Sequence, residues 1–433
     1  METNTVILLM FLLFLVLLFL QVPIALCLGF ASIFFITQSS GLSMMQMATS
    51  MFSAVDSFPL MAVPLFILCG AIIDGGGLGK RLVNFCAAFV GQFTGGYAMV
   101  TVITCAFFGA ISGSALATVA AIGGIMLPVM IEAGYDKKFA LGLTCCAGCL
   151  GIIIPPSIPM IMYASSTGAS IGTLFIGGFG PGIFLALVLC VLAYLICRRR
   201  GYHGNGVRFS WRNVAKATKD AIWALLIPVI ILGGIYGGIF TPTEAAAVAV
   251  AYSAFAGAVI YRELSFRKLA AVIGDAAVTT GTILLVCATA TVFGKVLTMA
   301  QIPTLLVGLC SSLTSSKFVL LIILNVLLLV VGCFMDTVAA ITILAPMLYP
   351  LINAYQVDAI HFGLIMVLNL AVGLCTPPVG SNLFVASSIS KEKFSTVVSA
   401  VIPFLLAMLF SLIVITYVPQ ITLALPRLFG YKG

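Results

Sequence analysis

The sequence predicts an all-α, polytopic membrane protein made of two related halves, each carrying a helical hairpin and a broken helix. Three observations carry that expectation. Hydrophobic residues make up 62% of the chain and charged residues only 7%, against roughly a quarter charged in a soluble protein. The apolar runs are long and continuous, without the period-two alternation of a membrane barrel. The third observation is a repeat. Pro155-Pro156 recurs as Pro377-Pro378, Ala164-Ser165-Ser166 as Ala386-Ser387-Ser388, Asp136 as Asp358 and Pro181 as Pro403, each 222 residues on. Thr118-Val-Ala-Ala-Ile122 returns as Thr337-Val-Ala-Ala-Ile341, 219 residues on. Landmarks that repeat nearly in step indicate an internal duplication.

Apolar segments run at 5–20, 22–37, 51–73, 97–113, 115–133, 138–168, 173–197, 221–240, 244–260, 281–313, 318–334, 337–355, 360–390 and 394–425. The first has no basic leader and no small-residue cleavage site, so it reads as a mature span. Seven basic residues lie between Arg198 and Lys219, which places the 198–219 loop in the cytoplasm by the positive-inside rule. Walking outward from that loop puts 16 of the 20 basic residues inside, leaves Lys295, Lys317, Arg427 and Lys432 outside, and makes both termini periplasmic. The layout requires the pairs 97–133 and 318–355 to be hairpins, with tips at Ser112-Gly113-Ser114 and Met335-Asp336-Thr337. Charge fits two full spans equally well at the first hairpin. The tips favour re-entrance, because they are too polar for the membrane midplane unless they meet something there. The broken segments 138–168 and 360–390 then run antiparallel, and the duplication is inverted. Gly79–Phe93 and Ser265–Asp275 follow basic residues and read as interfacial arms or as ordinary loop helices.

The expected division is as follows. Residues 1–95 form N-terminal scaffold helices with an arm, and 96–170 a first repeat of hairpin plus broken helix. Residues 171–280 form further scaffold helices, with the cytoplasmic loop and a second arm. Connecting helices occupy 281–316, a second repeat 317–390 and a C-terminal helix 391–433.

The chemistry concentrates at the tips and breaks. Proline lacks an N–H and clashes with the preceding turn, so a Pro-Pro pair interrupts a helix. Irregular backbone at membrane depth survives only where protein buries it or it lines a cavity. Paired interruptions in matching halves point to a transporter's binding site. Helices restarting after Ser114, Asp336 and each Pro-Pro pair present free N–H groups suited to a carboxylate. Segments ending at Ile154 and Cys375 present free carbonyls. Together with Ser112, Ser114, Asp336, Thr337 and Thr376 these suit a small hard cation such as sodium. Asp336 is the one acid in the second hairpin's core and is costly at that depth. Ser112 and Ser114 serve a helix cap equally well. Ser157, Ser165, Ser381, Asn382 and Ser387 are candidate solute contacts, with packed small residues as the alternative. Cys145, Cys146 and Cys149 cluster without a histidine nearby and read as small buried hydrophobes rather than metal ligands.

Several motifs together resemble the large membrane (M, DctM-like) subunit of TRAP (tripartite ATP-independent periplasmic) transporters. They are Ala110-Ile-Ser-Gly-Ser-Ala115, Ile154-Pro-Pro-Ser-Ile-Pro159, Phe240-Thr-Pro-Thr-Glu-Ala-Ala246, Thr376-Pro-Pro-Val-Gly380, Ser57-Phe-Pro-Leu60, Ala62-Val-Pro-Leu-Phe66 and Gly75-Gly-Gly-Leu-Gly-Lys-Arg81. The resemblance spans nearly the whole chain. It implies an elevator-type symporter of the bacterial inner membrane, driven by sodium, that imports organic anions such as dicarboxylates or sugar acids. It also implies two partners, a four-helix small membrane (Q) subunit and a periplasmic substrate-binding (P) protein. The implied sodium ligands are Ser112 and Ser114 with the Gly151–Pro155 break, and Asp336 and Thr337 with the break at Gly373–Thr376. The scaffold would hold still while 97–168 and 318–390 move past it.

Other classes fit less well. A channel or a proton-translocating subunit would need a continuous polar lining or chained acids within spans. An enzyme would need a catalytic or metal constellation, and no Walker motif is present. Sodium is the only ion implied, and beyond the bilayer and the two proteins no partner, nucleic acid included, is expected. Glu244 reads as a helix-start acid beside Thr243.

Overall fold

The computed structural model describes residues 3–20, 22–38, 43–204 and 209–433. Asn205 to Arg208, within the loop expected in the cytoplasm, lie outside the described residues. Described secondary structure is entirely helical. Nine helices are long and apolar enough to cross a membrane, or ten if one bent pair counts as a span, among the described residues.

The chain opens with α1 (Thr3–Phe19), α2 (Ile24–Gln38) and α3 (Met44–Val55), the last started by a reciprocal cap between Ser43 and Gln46. A 3₁₀ turn at Phe58–Met61 leads into α4 (Ala62–Gly75), followed by the amphipathic α5 (Leu78–Val90). The first hairpin is α6 (Gly96–Ser112) and α7 (Ala115–Glu132); the first broken helix is α8 (Lys137–Ala147), α9 (Leu150–Ile153) and α10 (Ile158–Thr167). Then come α11 (Ile171–Arg200), α12 (Trp211–Tyr236), α13 (Pro242–Phe255), α14 (Phe266–Met299) and α15 (Ile302–Leu313). The second hairpin is α16 (Lys317–Phe334) and α17 (Thr337–Ala354), and the second broken helix is α18 (Ala359–Gly373) and α19 (Ser381–Ser390). The chain closes with α20 (Phe394–Tyr417) and a short α21 (Gln420–Leu428).

The helices sort into two packed groups. In one, α14 packs on α2, α3 and α4, α13 on α4 and α12, and α12 on α5. The other gathers both hairpins and both broken helices. Within it the halves exchange partners: α7 packs on α19, and α17 packs on α10. Tyr163 of α10, fully buried, donates its hydroxyl to the Ala359 carbonyl of α18 at 2.8 Å. Lys137 lies 2.6 Å from Glu392, and holds that carboxyl below the usual carboxylate range.

Three elements differ from the expected layout. The stretch 265–275 is no separate arm but the first turns of α14, a single 34-residue helix. Its polar start lowers local hydropathy without breaking the helix, because Ser265 caps it and no proline or strained residue follows. The run 281–313 is instead interrupted at Gln301, whose φ of +58° is left-handed. The C-terminal segment is two helices, because Pro419 follows Val418 at the end of α20. The stretch 171–280 also does not pack as one unit: α11 lies on α6, α18, α20 and α21, whereas α12 to α14 lie on α4 and α5.

Glycine sets how closely each hairpin approaches its break. A side chain at Gly151 would strike the Thr118 hydroxyl and the Ser114 carbonyl, and one at Gly373 would lie 2.6 Å from the backbone of Gly332. Gly151→Ala is therefore expected to lower thermal stability by about 1–3 kcal/mol, the range for overpacking. Gly124→Ala, with nothing within 4 Å, should be neutral or stabilise by up to about 1 kcal/mol through helix propensity. Melting of the purified variants in one detergent checks this, and equal stability of the two would refute the close approach.

Candidate ion and solute site at the two helix breaks

Each break begins where a helix runs out of donors. The carbonyls of Gly151 and Ile152 would bond to the N–H groups of residues 155 and 156, but both are proline. The Ser157 hydroxyl replaces one of these, donating to the Ile152 carbonyl at 2.6 Å while capping α10. The first N–H of α10, on Ile158, donates to the carbonyl of Gly113 at the opposing hairpin tip, at 3.3 Å. Lys137–Ile153 and Ile158–Thr167 meet at 41°. In the second half Leu374, whose i+4 partner is Pro378, accepts from the Asn382 N–H at 3.1 Å, and Val379 N–H donates to Cys333 at the other tip at 3.3 Å. Tip and break are thus stitched by backbone bonds in both halves.

The first tip turns at Gly113, φ +62°, a left-handed conformation glycine adopts without penalty. Ser114 caps α7 by accepting from the Ala117 N–H. Around this turn three oxygens gather. Thr118 Oγ1 donates to the Ser114 carbonyl at 2.7 Å and lies 3.3 Å from Ser112 Oγ, which is 3.5 Å from the same carbonyl. Ser112 and Thr118 are buried. At the second tip Asp336 caps α17, with Oδ2 accepting from the Val338 N–H at 2.9 Å. Beside it the buried Thr337 hydroxyl has no partner among the described residues. Thr376 Oγ1 donates to the Val372 carbonyl at 2.8 Å.

Both tips open on one cavity of about 500 Å³, lined by Ser112, Ser114, Asp336 and Thr337, by Ile152 and Ile158 of the first break, and by Leu374 of the second. Gly151, Pro155, Gly373 and Thr376 do not line it. Two further acids, Asp74 on α4 and Asp275 on α14, do. A second cavity of about 600 Å³ lies along the other end of α14, where Ser165, Ser166 and Lys295 line it. The arrangement offers hard oxygen ligands with one full negative charge at the tips, which suits a small cation. No group of three His, Cys, Asp or Glu suited to a metal occurs among the described residues.

The five candidate solute contacts are not brought together. Ser165 lines the second cavity. Ser157 is fully buried in its own turn. Ser381 opens α19 behind Gly380. Ser387 donates to the Glu392 carbonyl at 2.6 Å, at the far end of α19. Asn382, fully buried, turns its amide nitrogen to the Cys145 carbonyl at 3.4 Å and Cys149 Sγ at 3.3 Å, and leaves its oxygen without a partner among the described residues. Cys375 joins that cluster, 3.4 Å from Cys149 Sγ and 3.8 Å from Cys145 Sγ, and all three are buried and free. Glu244 forms a reciprocal cap with Thr241, not Thr243, accepting from the Thr241 N–H at 2.8 Å. The hydroxyl of Thr118 was missed as a site group, although its pentamer repeats at Thr337 and thereby marks the equivalent position.

These features define a multi-pass helical membrane protein with an ion- and solute-sized cavity at two helix interruptions. The chain belongs to the family described as "Tripartite ATP-independent periplasmic transporter, DctM component", whose profile matches residues 11–421. It is 42% identical over 388 residues, 90% of this chain and 91% of the relative, to the C4-dicarboxylate TRAP transporter large permease protein DctM of Pseudomonas aeruginosa. It is 37% identical to the sialic acid TRAP transporter large permease protein SiaM of Vibrio cholerae, covering 96% of this chain and 97% of the relative. The isethionate TRAP transporter permease protein DctMQ of Oleidesulfovibrio alaskensis is 44% identical over 92% of this chain, which spans 63% of that longer relative. The crystal structure of the Alcanivorax borkumensis YdaH transporter has the same overall fold, with a TM-score of 0.62 at 15% identity over 90% of each chain. The relatives are transport permeases, not enzymes.

The tip geometry makes a prediction about two threonines. In sodium-free buffer, Thr118→Val should cost about 1 kcal/mol through loss of its 2.7 Å bond. Thr337→Val, which removes an unpartnered buried hydroxyl, should cost nothing or stabilise. Melting in choline buffer reads the difference, and the reverse order would exclude this hydrogen-bonding scheme.

Proposed function

We propose that this chain is the large permease subunit of a sodium-driven TRAP symporter in the bacterial inner membrane. It takes up an organic anion, a dicarboxylate, sugar acid or related acid, handed over by a periplasmic binding protein. The observation that carries the reading is the meeting of both hairpin tips in one cavity, where hydroxyl and carboxylate oxygens gather beside helix breaks. The proposed sodium sites are the oxygens of Ser112, Ser114 and Thr118 backed by the 151–155 break, and those of Asp336, Thr337 and Thr376 backed by the 373–377 break. The exchanged packing of α7 on α19 and α17 on α10 suits a unit that moves as one body, as an elevator with inverted repeats requires. We assign α11 and α20 to that body as well, because they pack on its core. The scaffold is then α1 to α5 with α12 to α14. A channel finds less support, since two separate cavities stand in place of a continuous polar lining.

Coupling is tested at Asp336. In proteoliposomes with an imposed sodium gradient, Asp336→Asn is expected to lose sodium-stimulated uptake while protein abundance is retained. A full charge in a cation site contributes a direct attraction, and each charge moved through 100 mV is worth about 2.3 kcal/mol. Sodium dependence in the variant equal to that of the parent would sink the assignment.

The tripartite arrangement is tested by adding parts in turn. The small subunit would brace the scaffold, and the binding protein would dock near the second hairpin and the 241–243 turn. The chain alone, the chain with its small subunit, and both with the binding protein are reconstituted in sequence. Gradient-driven uptake at micromolar solute is expected only for the complete set, and such uptake by the chain alone would rule the arrangement out.

A further inference from the structure

The two cavities along α14 have opposite charge. The one at the tips is lined by three carboxylates, Asp74, Asp275 and Asp336, and by no lysine or arginine. The other is lined by one cation, Lys295, and by no carboxylate. Its walls are also divided. Ser53, Ser57 and Lys295 come from the α3–α4 corner and α14, whereas Ser165 and Ser166 come from α10. Solute held there touches both packed groups at once. Lys295 donates to Ser50 Oγ at 2.9 Å and makes no ion pair among the described residues, so its remaining N–H bonds face the cavity unneutralised. Asp56, the nearest acid in sequence to Ser53 and Ser57, does not line the space. Short hydroxyl side chains around a single ammonium leave room for a polar molecule and balance one negative charge.

We infer that this cavity is a receiving site for a small organic acid, with the acidic head on Lys295 and hydroxyl groups of the solute on Ser53, Ser57, Ser165 and Ser166. This deepens the transport reading and rests on it in one respect, that solute arrives from the Lys295 side. Lys295 sits on the wall that α14 contributes, not on the hairpins. It therefore receives solute before any movement, and releases it when α10 withdraws. Opposite charge at the two ends gives direction: an anion is drawn in at the lysine and repelled where the three carboxylates lie.

The test reads anion occupancy without needing transport. The full-length chain in lipid nanodiscs is acylated with a water-soluble succinimidyl ester, and modification of Lys295 is followed by peptide mass spectrometry. Glycolate, with one acidic head and one hydroxyl, is expected to slow acylation of Lys295 saturably and at least about fivefold. Ethylene glycol should have no effect, and Lys317, outside the cavity, should react at an unchanged rate. Equal slowing at Lys317, or none at Lys295, would overturn the inference. Uptake of labelled glycolate, succinate and gluconate by the reconstituted transporter gives the second readout. Lys295→Gln should raise KM about tenfold for the transported acid with little change in kcat, and Lys295→Arg should recover most of the affinity. Protection of Lys295 without any uptake by the parent would refute the transport reading and leave the anion site standing. Uptake by Lys295→Gln at the parent's KM, without protection in the parent, would refute the anion site and leave transport standing.

Discussion

The structure depends on one constraint: two Pro-Pro pairs leave backbone carbonyls without N–H partners inside an apolar protein. An unpaired carbonyl away from water costs as much as a lost hydrogen bond, so each break must be met by something polar. The fold answers first within the breaks, where the Ser157 hydroxyl donates to the Ile152 carbonyl and the Asn382 N–H to that of Leu374. The hairpin tips take up freed donors beside them. Gly113 accepts from the first N–H beyond one break, and Cys333 accepts from Val379 within the other. Of the buried side-chain polar atoms without a partner among the described residues, only the Thr337 hydroxyl belongs to a residue that lines the tip cavity. A ligand bound there would complete it.

The same constraint explains the small residues. A tip can reach a break only if the helices carrying them come nearly into backbone contact. Gly151 and Gly373 allow this in the two halves. In lipid there is no hydrophobic drive between helices, so such close van der Waals packing, together with hydrogen bonds, holds the halves together. Each half also lends its second hairpin arm to the other half's broken helix. Each repeat therefore completes part of the other's packing surface.

Local chemistry was legible in the sequence, and long-range contact was not. Pro155-Pro156 and Pro377-Pro378 announce the breaks because proline acts on its own turn. Ser112-Gly113-Ser114 and Asp336-Thr337 announce the tips because polar residues are rare at that depth. The continuity of α14 was hidden, since Arg267 and Lys268 reduce hydropathy while being good helix formers. The orientation of Asn382 was hidden for a different reason. Its amide meets Cys145 and Cys149, more than 230 residues away in sequence, and no local pattern records that. Ser157 follows a rule that was available: a serine directly after a break is first of all the cap of the next helix.

Helix α14 links the two cavities. It runs past both cavities, contributing Asp275 to one and Lys295 to the other. It packs on α2, α3 and α4 on one side and on α17 on the other. Along α14 the hairpins therefore meet Asp275 at one cavity and Lys295 at the other. If the hairpins shift along it, their oxygens move between two fixed fields. A cation bound at the tips is stabilised beside the carboxylates, an anion beside the lysine, and a site holding both is nearly neutral in either place. Loaded with only one of the two, the moving body carries a net charge past one wall of the wrong sign. On the proposed reading, ion and solute would be coupled through the charges that α14 sets beside the two cavities.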